Sequence, residues 1–330
     1  MSKFINKQKG RSPLITVLTL FTGRMPVLLA TVGTIASIFL LWQLFSTQEN
    51  LEKELPKTHV FKTVENYEAE VAKSGFLQEI AIKSQLSENA KITICNLQYR
   101  CRHLQGNVAS ISAASLIKVP IAVALVNKLT LENIDLDTEI YVDKGNVTEE
   151  DFSALEGGQN YPIRQLLAET IINSSNTAPN QLIDYLTRDY INQVLEERGY
   201  NVTRVNSKFI GETTVPVDLG DTKNRLNADE LTAMMVEIYN REHPGDEILI
   251  TILGLQHDRE LGYAALKGTN ARWLGEKTGQ NSSVLGTTLA MKVAGQTYIV
   301  TVIDDGEYSD DAIRNSLAQI ADYLWRNGGF

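Results

Sequence analysis

The chain has 330 residues, 43% hydrophobic and 22% charged, a composition that buries a full core and excludes a disordered protein. Five of its 31 basic residues, Lys3, Lys7, Lys9, Arg11 and Arg24, precede the first acidic one, Glu49, so the other 26 face 40 acidic residues, a net of −14. A body that acidic excludes nucleic acid as a partner.

Residues 1–26 read as a basic cytoplasmic tail. "VLLATVGTIASIFLLWQLF", residues 27–45, is an uncharged run long enough for one transmembrane helix. Every charge before it is basic, and Glu49, Glu52 and Glu54 are among those that follow it, so the positive-inside rule predicts a single-pass plasma (inner) membrane protein with a periplasmic body. A cleaved signal peptide is the alternative, but the apolar run is long for one and no small-x-small site follows. Residues 46–59, polar and containing Pro56, read as a linker, and residues 60–330 as the folded domain.

Within that domain, "FKTVENYEAEVAKSGFLQEIAIKS" has helical spacing; "KITICNL" and "RHLQGNVAS" predict a first pair of strands. Cys95 and Cys101, six apart across that pair, form either a disulfide, which an extracytoplasmic location permits, or two half-buried thiols. Six helical segments follow, from "SLIKVPIAVALVNKLT" to "GDEILITILGLQ". Strand character returns in "ARWLGEKTG", "SVLGTTLAMKVAGQ" and "TYIVTVIDD", with Gly279 and Gly295 as turn signals, and "SDDAIRNSLAQIADYLWRN" predicts a closing helix. Strands at both ends and helices between predict an α+β fold, one sheet built from both termini beside an all-helical lobe, with a site in the cleft. His59, His103, His243 and His257 stand apart from one another and show no metal-ligand spacing.

Three short patterns bear chemistry: Ser115-Leu-Ile-Lys118 at a helix start, Ser174-Ser175-Asn176 in a break between helices, and Lys277-Thr278-Gly279 at a strand. Ser115 and Lys118 are three apart and share one helix face. A serine hydroxyl needs a base within reach, and a lysine desolvated by apolar neighbours can serve; the bland alternative is an ammonium that only orients Ser115. Pro120 fits a first helical turn, which puts the nucleophile at the helix's positive end. Taken alone, the second pattern is a capping turn and the third a strand end.

In this order, the three patterns resemble the penicillin-recognising serine enzymes: penicillin-binding proteins and class A β-lactamases. The 59 residues from Ser115 to Ser174 and the 103 from Ser174 to Lys277 are similar to class A intervals, and "NSSNTAPNQLI" resembles that family's SDN stretch with Ser175 in place of the aspartate. The resemblance implies the β-lactamase/transpeptidase fold, with a five-stranded antiparallel sheet. It implies catalytic roles for Ser115, Lys118, Ser174, Asn176 and Lys277, and substrate contacts for Thr278, Gly279 and Gln280. Ser115 would be the nucleophile and Lys118 its base. Ser174 would relay a proton and Asn176 would hold the lysine or a substrate amide. Lys277 and Thr278 would meet a carboxylate, the N–H groups of Ser115 and Gln280 would form an oxyanion hole, and Gly279 would let substrate lie against the strand. No metal or organic cofactor is needed.

The deacylating glutamate of class A enzymes, in an ExxLN motif, falls by interval on Ile210; "NSKFIGETTVPVDLG" lacks that motif, and Glu212 is the nearest carboxylate. No clear arginine follows KTG: Leu285 lies near the family position, leaving Arg259 or Arg272 as substitutes. This pattern resembles the cyanobacterial penicillin-binding type. It implies a D-alanyl-D-alanine peptidase acting on peptidoglycan stem peptides and acylated by β-lactams. The alternatives are a class A β-lactamase, with Glu212 as possible deacylation base, and a non-catalytic penicillin-sensing or wall-binding module.

Overall fold

The computed structural model describes residues 71–73, 75–149 and 153–330. The predicted tail, membrane span and linker lie outside the described residues. In chain order the domain runs β1 (Val71–Lys73), α1 (Gly75–Ser84), β2 (Lys91–Asn96), β3 (Cys101–Leu104) and a 3-10 turn (Ala114–Ile117) leading into α2 (Lys118–Glu132). A lobe of β4 (Glu139–Tyr141), β5 (Asn160–Pro162), α3 (Ile163–Ile171), α4 (Thr177–Leu186) and α5 (Arg188–Glu197) follows. The chain then returns through α6 (Ala228–Asn240), α7 (Asp246–Leu253) and α8 (Gly262–Leu266) to β6 (Ala271–Asn281), β7 (Val284–Val293), β8 (Gln296–Asp305) and α9 (Asp310–Asn327).

The sheet order is β1-β3-β2-β8-β7-β6, so β8 joins the C-terminal meander to the N-terminal hairpin. Five of these strands pair antiparallel, as expected, but a sixth, β1, runs parallel to β3 at the edge. That strand lies within a segment whose spacing predicts helix; pairing with β3 overrides local preference there, and the helix begins only at Gly75. The disulfide between Cys95 and Cys101 closes the β2–β3 hairpin, whose register sets the two residues opposite each other.

Alternation along the strands separates two cores. Ile92, Ile94, Val300 and Val302 pack with Leu77, Ile313 and Leu317 of α1 and α9, whereas Ile299 and Ile303 join the core that includes α2 and α6. On the α6 side, His103 Nδ1 sits 2.9 Å from Asp229 Oδ2 and Thr93 Oγ1 donates to Asp229 Oδ1 at 2.6 Å, a satisfied buried histidine. Helix α2 is buried from Lys118 to Val126. With its preceding turn it is apolar and long enough to cross a membrane, yet it is largely buried as the lobe's central helix.

Gly295 does lie in a turn, the two-residue link between β7 and β8, where Ala294 and Gly295 both have positive φ (48° and 83°). Gly279 does not: it is inside β6, paired with Gly286 of β7. A local glycine signal cannot tell a turn from a close approach of two backbones. A register shift between Trp273 and Gly275 bends β6 just before the residues that face the lobe.

Candidate active site

Three segments meet where β6 faces the lobe. Ser115 sits in the 3-10 turn ahead of α2, held down by Leu116 and Ile117, both buried. Ser174 belongs to the break between α3 and α4, and Lys277 to β6. Ala114 and Ser174, both at the site, have φ of 43° and 57°, left-handed conformations costing a non-glycine residue on the order of 1 kcal/mol each.

Lys118 is fully buried. Its Nζ donates to Ser115 Oγ at 3.0 Å, Ser174 O at 2.5 Å and Asn176 Oδ1 at 2.8 Å, and lies 3.3 Å from Ser174 Oγ. Ser174 Oγ also accepts from Lys277 Nζ at 2.8 Å, so one hydroxyl lies between two amines. The capping reading of this turn holds for one residue: Ser175 Oγ accepts from Ala178 N at 3.2 Å at the start of α4, which leaves Ser174 and Asn176 turned to the lysine.

Lys277 is equally buried, and burial pulls its ammonium down to about 7 despite the nearby negative charges of Asp258 and Glu276. Burial acts oppositely on Glu276, raising it to about 8; Trp273 Nε1 donates to its Oε2 at 3.1 Å, and its Oε1 has no hydrogen-bond partner among the described residues. Gly279 has a role that the sequence reading missed. A Cβ there would stand 2.8 Å from Leu116 N and 3.1 Å from Ser115 N, so the bare strand lets β6 lie against the nucleophile turn itself. Gln280 is exposed beyond it, its Nε2 donating to Tyr308 Oη at 3.4 Å.

Other contributors carry no motif. Asn281 Nδ2 donates to Ser112 Oγ at 2.7 Å, and Ser112 Oγ also accepts from Ala114 N at 3.3 Å, tying the end of β6 to the segment ahead of Ser115. Thr278 Oγ1 donates to Asp258 Oδ2 at 2.7 Å. Neither candidate arginine is turned to the site. Arg259 lies over the rings of Tyr263 and Trp273 (4.9 and 5.2 Å), and Arg272 precedes Lys277 by five strand residues, roughly 17 Å. Leu285 is buried.

The loop after α5 crosses the same site. Asn180 Oδ1 accepts from Phe209 N at 2.7 Å while its Nδ2 donates to Phe209 O at 2.9 Å. Beside it, buried Lys208 donates to Asn146 Oδ1 and to Val217 O, both at 2.7 Å. The clamp sets the Phe209 ring 4.7 Å from Lys118 Nζ, a cation–π contact. Ile210, the residue picked by interval counting, is 57% exposed, and Glu212 is exposed in the turn closed by Gly211 N to Thr214 O. Thr213 and Thr214 are held there by Glu149, whose carboxyl these hydroxyls lower to about 2.

A serine in contact with a buried lysine, a second serine between two lysines, and a strand packed on the nucleophile turn together form an acyl-transfer site. The model of the beta-lactamase enzyme family matches residues 75–327. The chain belongs to the beta-lactamase enzyme family. Membership makes it a serine hydrolase of the β-lactamase/transpeptidase fold. Among solved structures this family member is similar to PBP-A: 22% identity, TM-score 0.67, covering 77% of this chain and 98% of that one. A leucine-to-glutamate mutant of PBP-A, solved as its acyl-enzyme complex with penicillin G, matches with the same values. A β-lactamase from Sphaerobacter thermophilus DSM 20745 matches at 20% identity and TM-score 0.64, covering 76% of this chain and 97% of that one. No curated protein matches the sequence.

Proposed function

We propose that this family member is a D-alanyl-D-alanine peptidase that acts on peptidoglycan stem peptides through a Ser115 acyl-enzyme and is acylated by β-lactams. The observation that carries the reading is Phe209. The loop position that Asn180 holds next to Lys118 carries an aromatic ring, which cannot take a proton from water. Glutamate in that role is what makes class A enzymes clear their acyl-enzyme fast. Residues 27–45 anchor the enzyme in the plasma membrane with the domain outside, a placement in keeping with the Cys95–Cys101 disulfide.

In this reading Ser115 Oγ bonds to the carbonyl carbon of the penultimate residue while Lys118 takes its proton. The N–H groups of Ser115 and Gln280 stabilise the oxyanion. As the C–N bond breaks, Ser174 Oγ gives its proton to the leaving nitrogen and recovers one from Lys118, which the 3.3 Å separation allows. Asn176 holds Lys118 in place, Lys277 orients the Ser174 hydroxyl, and Lys277 with Thr278 and Gly279 lines the strand on which the leaving group lies. Water then splits the ester, returning a proton to Ser115 and a hydroxyl to the acyl group.

The test is a chromogenic β-lactam time course read together with intact mass. A persistent adduct on Ser115, absent in Ser115→Ala, supports the peptidase; rapid multiple turnover would make the enzyme a β-lactamase. Acylation without cleavage of any D-alanyl peptide would make it a penicillin-sensing module.

A further inference from the structure

A hydroxyl has one hydrogen to donate, and that of Thr278 goes to a carboxylate of the protein itself, Asp258 Oδ2 at 2.7 Å. Asp258 comes from the exposed loop between α7 and α8, and its other oxygen accepts from Glu260 N at 3.0 Å. Among the described residues it makes no salt bridge. Its neighbour Arg259 is stacked over Tyr263 and Trp273, with its Nε on Gln256 O. Lys277 offsets the charge only in part, because burial brings its ammonium to about 7 and its hydrogen bonds go to Ser174 Oγ and Thr278 O. The donor that would receive a substrate's terminal carboxylate is therefore already committed to an anion, and a second carboxylate arriving there meets like charge.

We infer that Asp258 is a specificity-determining residue that turns this subsite against leaving groups ending in a free carboxylate and toward uncharged, amidated or otherwise capped ones. The inference rests on the acyl-transfer reading above and adds a ranking within its substrate class: a leaving residue with a free carboxylate is still accepted, but less well than the same residue amidated or capped. Two unit charges a few ångströms apart at a partly exposed site set the scale of discrimination at about tenfold.

The test uses two thioester donors with the same acyl group, one with thioglycolate as leaving group and the other with its amide. In both, Ser115 Oγ bonds to the acyl carbon, the C–S bond breaks and the thiol leaves. With wild-type enzyme we expect kcat/KM to favour the amide about tenfold, and the preference to shrink in 0.5 M salt because Asp258 is exposed. Asp258→Asn and Asp258→Ser should each raise the carboxylate-to-amide ratio about tenfold. Asp258 also helps to keep Lys277 protonated, so its loss weakens a cation that favours the carboxylate donor; that change opposes the expected rise in the ratio and cannot produce it. A wild-type preference for the carboxylate donor, or an unchanged ratio in both variants, overturns the inference while leaving acyl transfer intact. Turnover of neither donor above the Ser115→Ala blank overturns both.

Discussion

Replacing Gly279 by alanine tests whether the contact between β6 and the nucleophile turn sets the position of Ser115. The added methyl would lie 2.8 Å from Leu116 N, 2.9 Å from Leu116 Cγ and 3.1 Å from Ser115 N. Two of those three atoms are backbone, so a rotamer change cannot relieve the crowding; strand or turn must move by about 0.6 Å to reach ordinary contact. Overpacking of this kind costs about 1–3 kcal/mol, a loss of several degrees in Tm for a domain of this size. The larger effect is on chemistry, since a displacement approaching 1 Å at a reacting group costs about 100-fold. We expect Gly279→Ala to lower the second-order acylation rate between 10- and 100-fold, measured by stopped-flow with a reporter β-lactam. Gly286→Ala is the matched control: its methyl would meet Val302 O at 2.8 Å and Leu116 Cδ1 at 3.2 Å but not Ser115. It should lower Tm comparably with a smaller loss of rate. Wild-type acylation by Gly279→Ala, or equal rate losses in the two variants, would refute the reasoning.

Phe209→Glu should speed release of the acyl group at least tenfold, seen as a shortened adduct lifetime by mass spectrometry, with acylation less affected. For Glu276, whose carboxyl rises from 4.5 to about 8 in the fold, the native state holds more protons than the unfolded chain between those values, so stability falls as pH rises through that window. Glu276→Gln should flatten that slope, worth a few kcal/mol, in Tm measured from pH 5 to 8; Lys277, lowered from 10.5 to about 7, has the opposite sign and restores stability from about pH 7 upward. Reducing the disulfide, which closes a short loop with a separation of six, should cost about 2 kcal/mol, seen as a lower Tm in dithiothreitol that Cys95→Ser/Cys101→Ser reproduces.

The site residues legible in the sequence were those whose chemistry is local. Ser115 and Lys118 share a helix face, and Ser174, Asn176 and Lys277 stand in short patterns; the structure brings all five together. What was not legible depends on pairing across the chain. Gly279 looks like a turn residue until β6 is seen against Leu116, and Val71–Lys73 looks helical until it pairs with β3. Asp258 is an exposed loop carboxylate with no periodic or motif signal, and only the 2.7 Å contact to Thr278 marks it. The approach of Phe209 to Lys118 was not legible either, because a loop has no period to count by. Asn180, inside the quoted "NSSNTAPNQLI", held the signal, but the backbone it grips lies 29 residues on.

That grip separates two properties of the enzyme. Asn180 binds the N–H and the carbonyl of residue 209 rather than its side chain, so the loop keeps its place whatever side chain stands there. The groups to which the proposed mechanism assigns formation of the acyl-enzyme lie on other segments: Ser115 and Lys118 on the turn and α2, Ser174 between α3 and α4, Lys277 on β6. In the proposed mechanism, formation of the acyl-enzyme and its removal are thus assigned to different parts of the chain, and a change of side chain at position 209 is expected to alter the lifetime of the adduct with little effect on its formation. A peptidase and a β-lactamase can share one scaffold on these terms. On the inference drawn above, Asp258 would add a third control, since its partners are Thr278 Oγ1 and Glu260 N and not the nucleophile or the Phe209 loop.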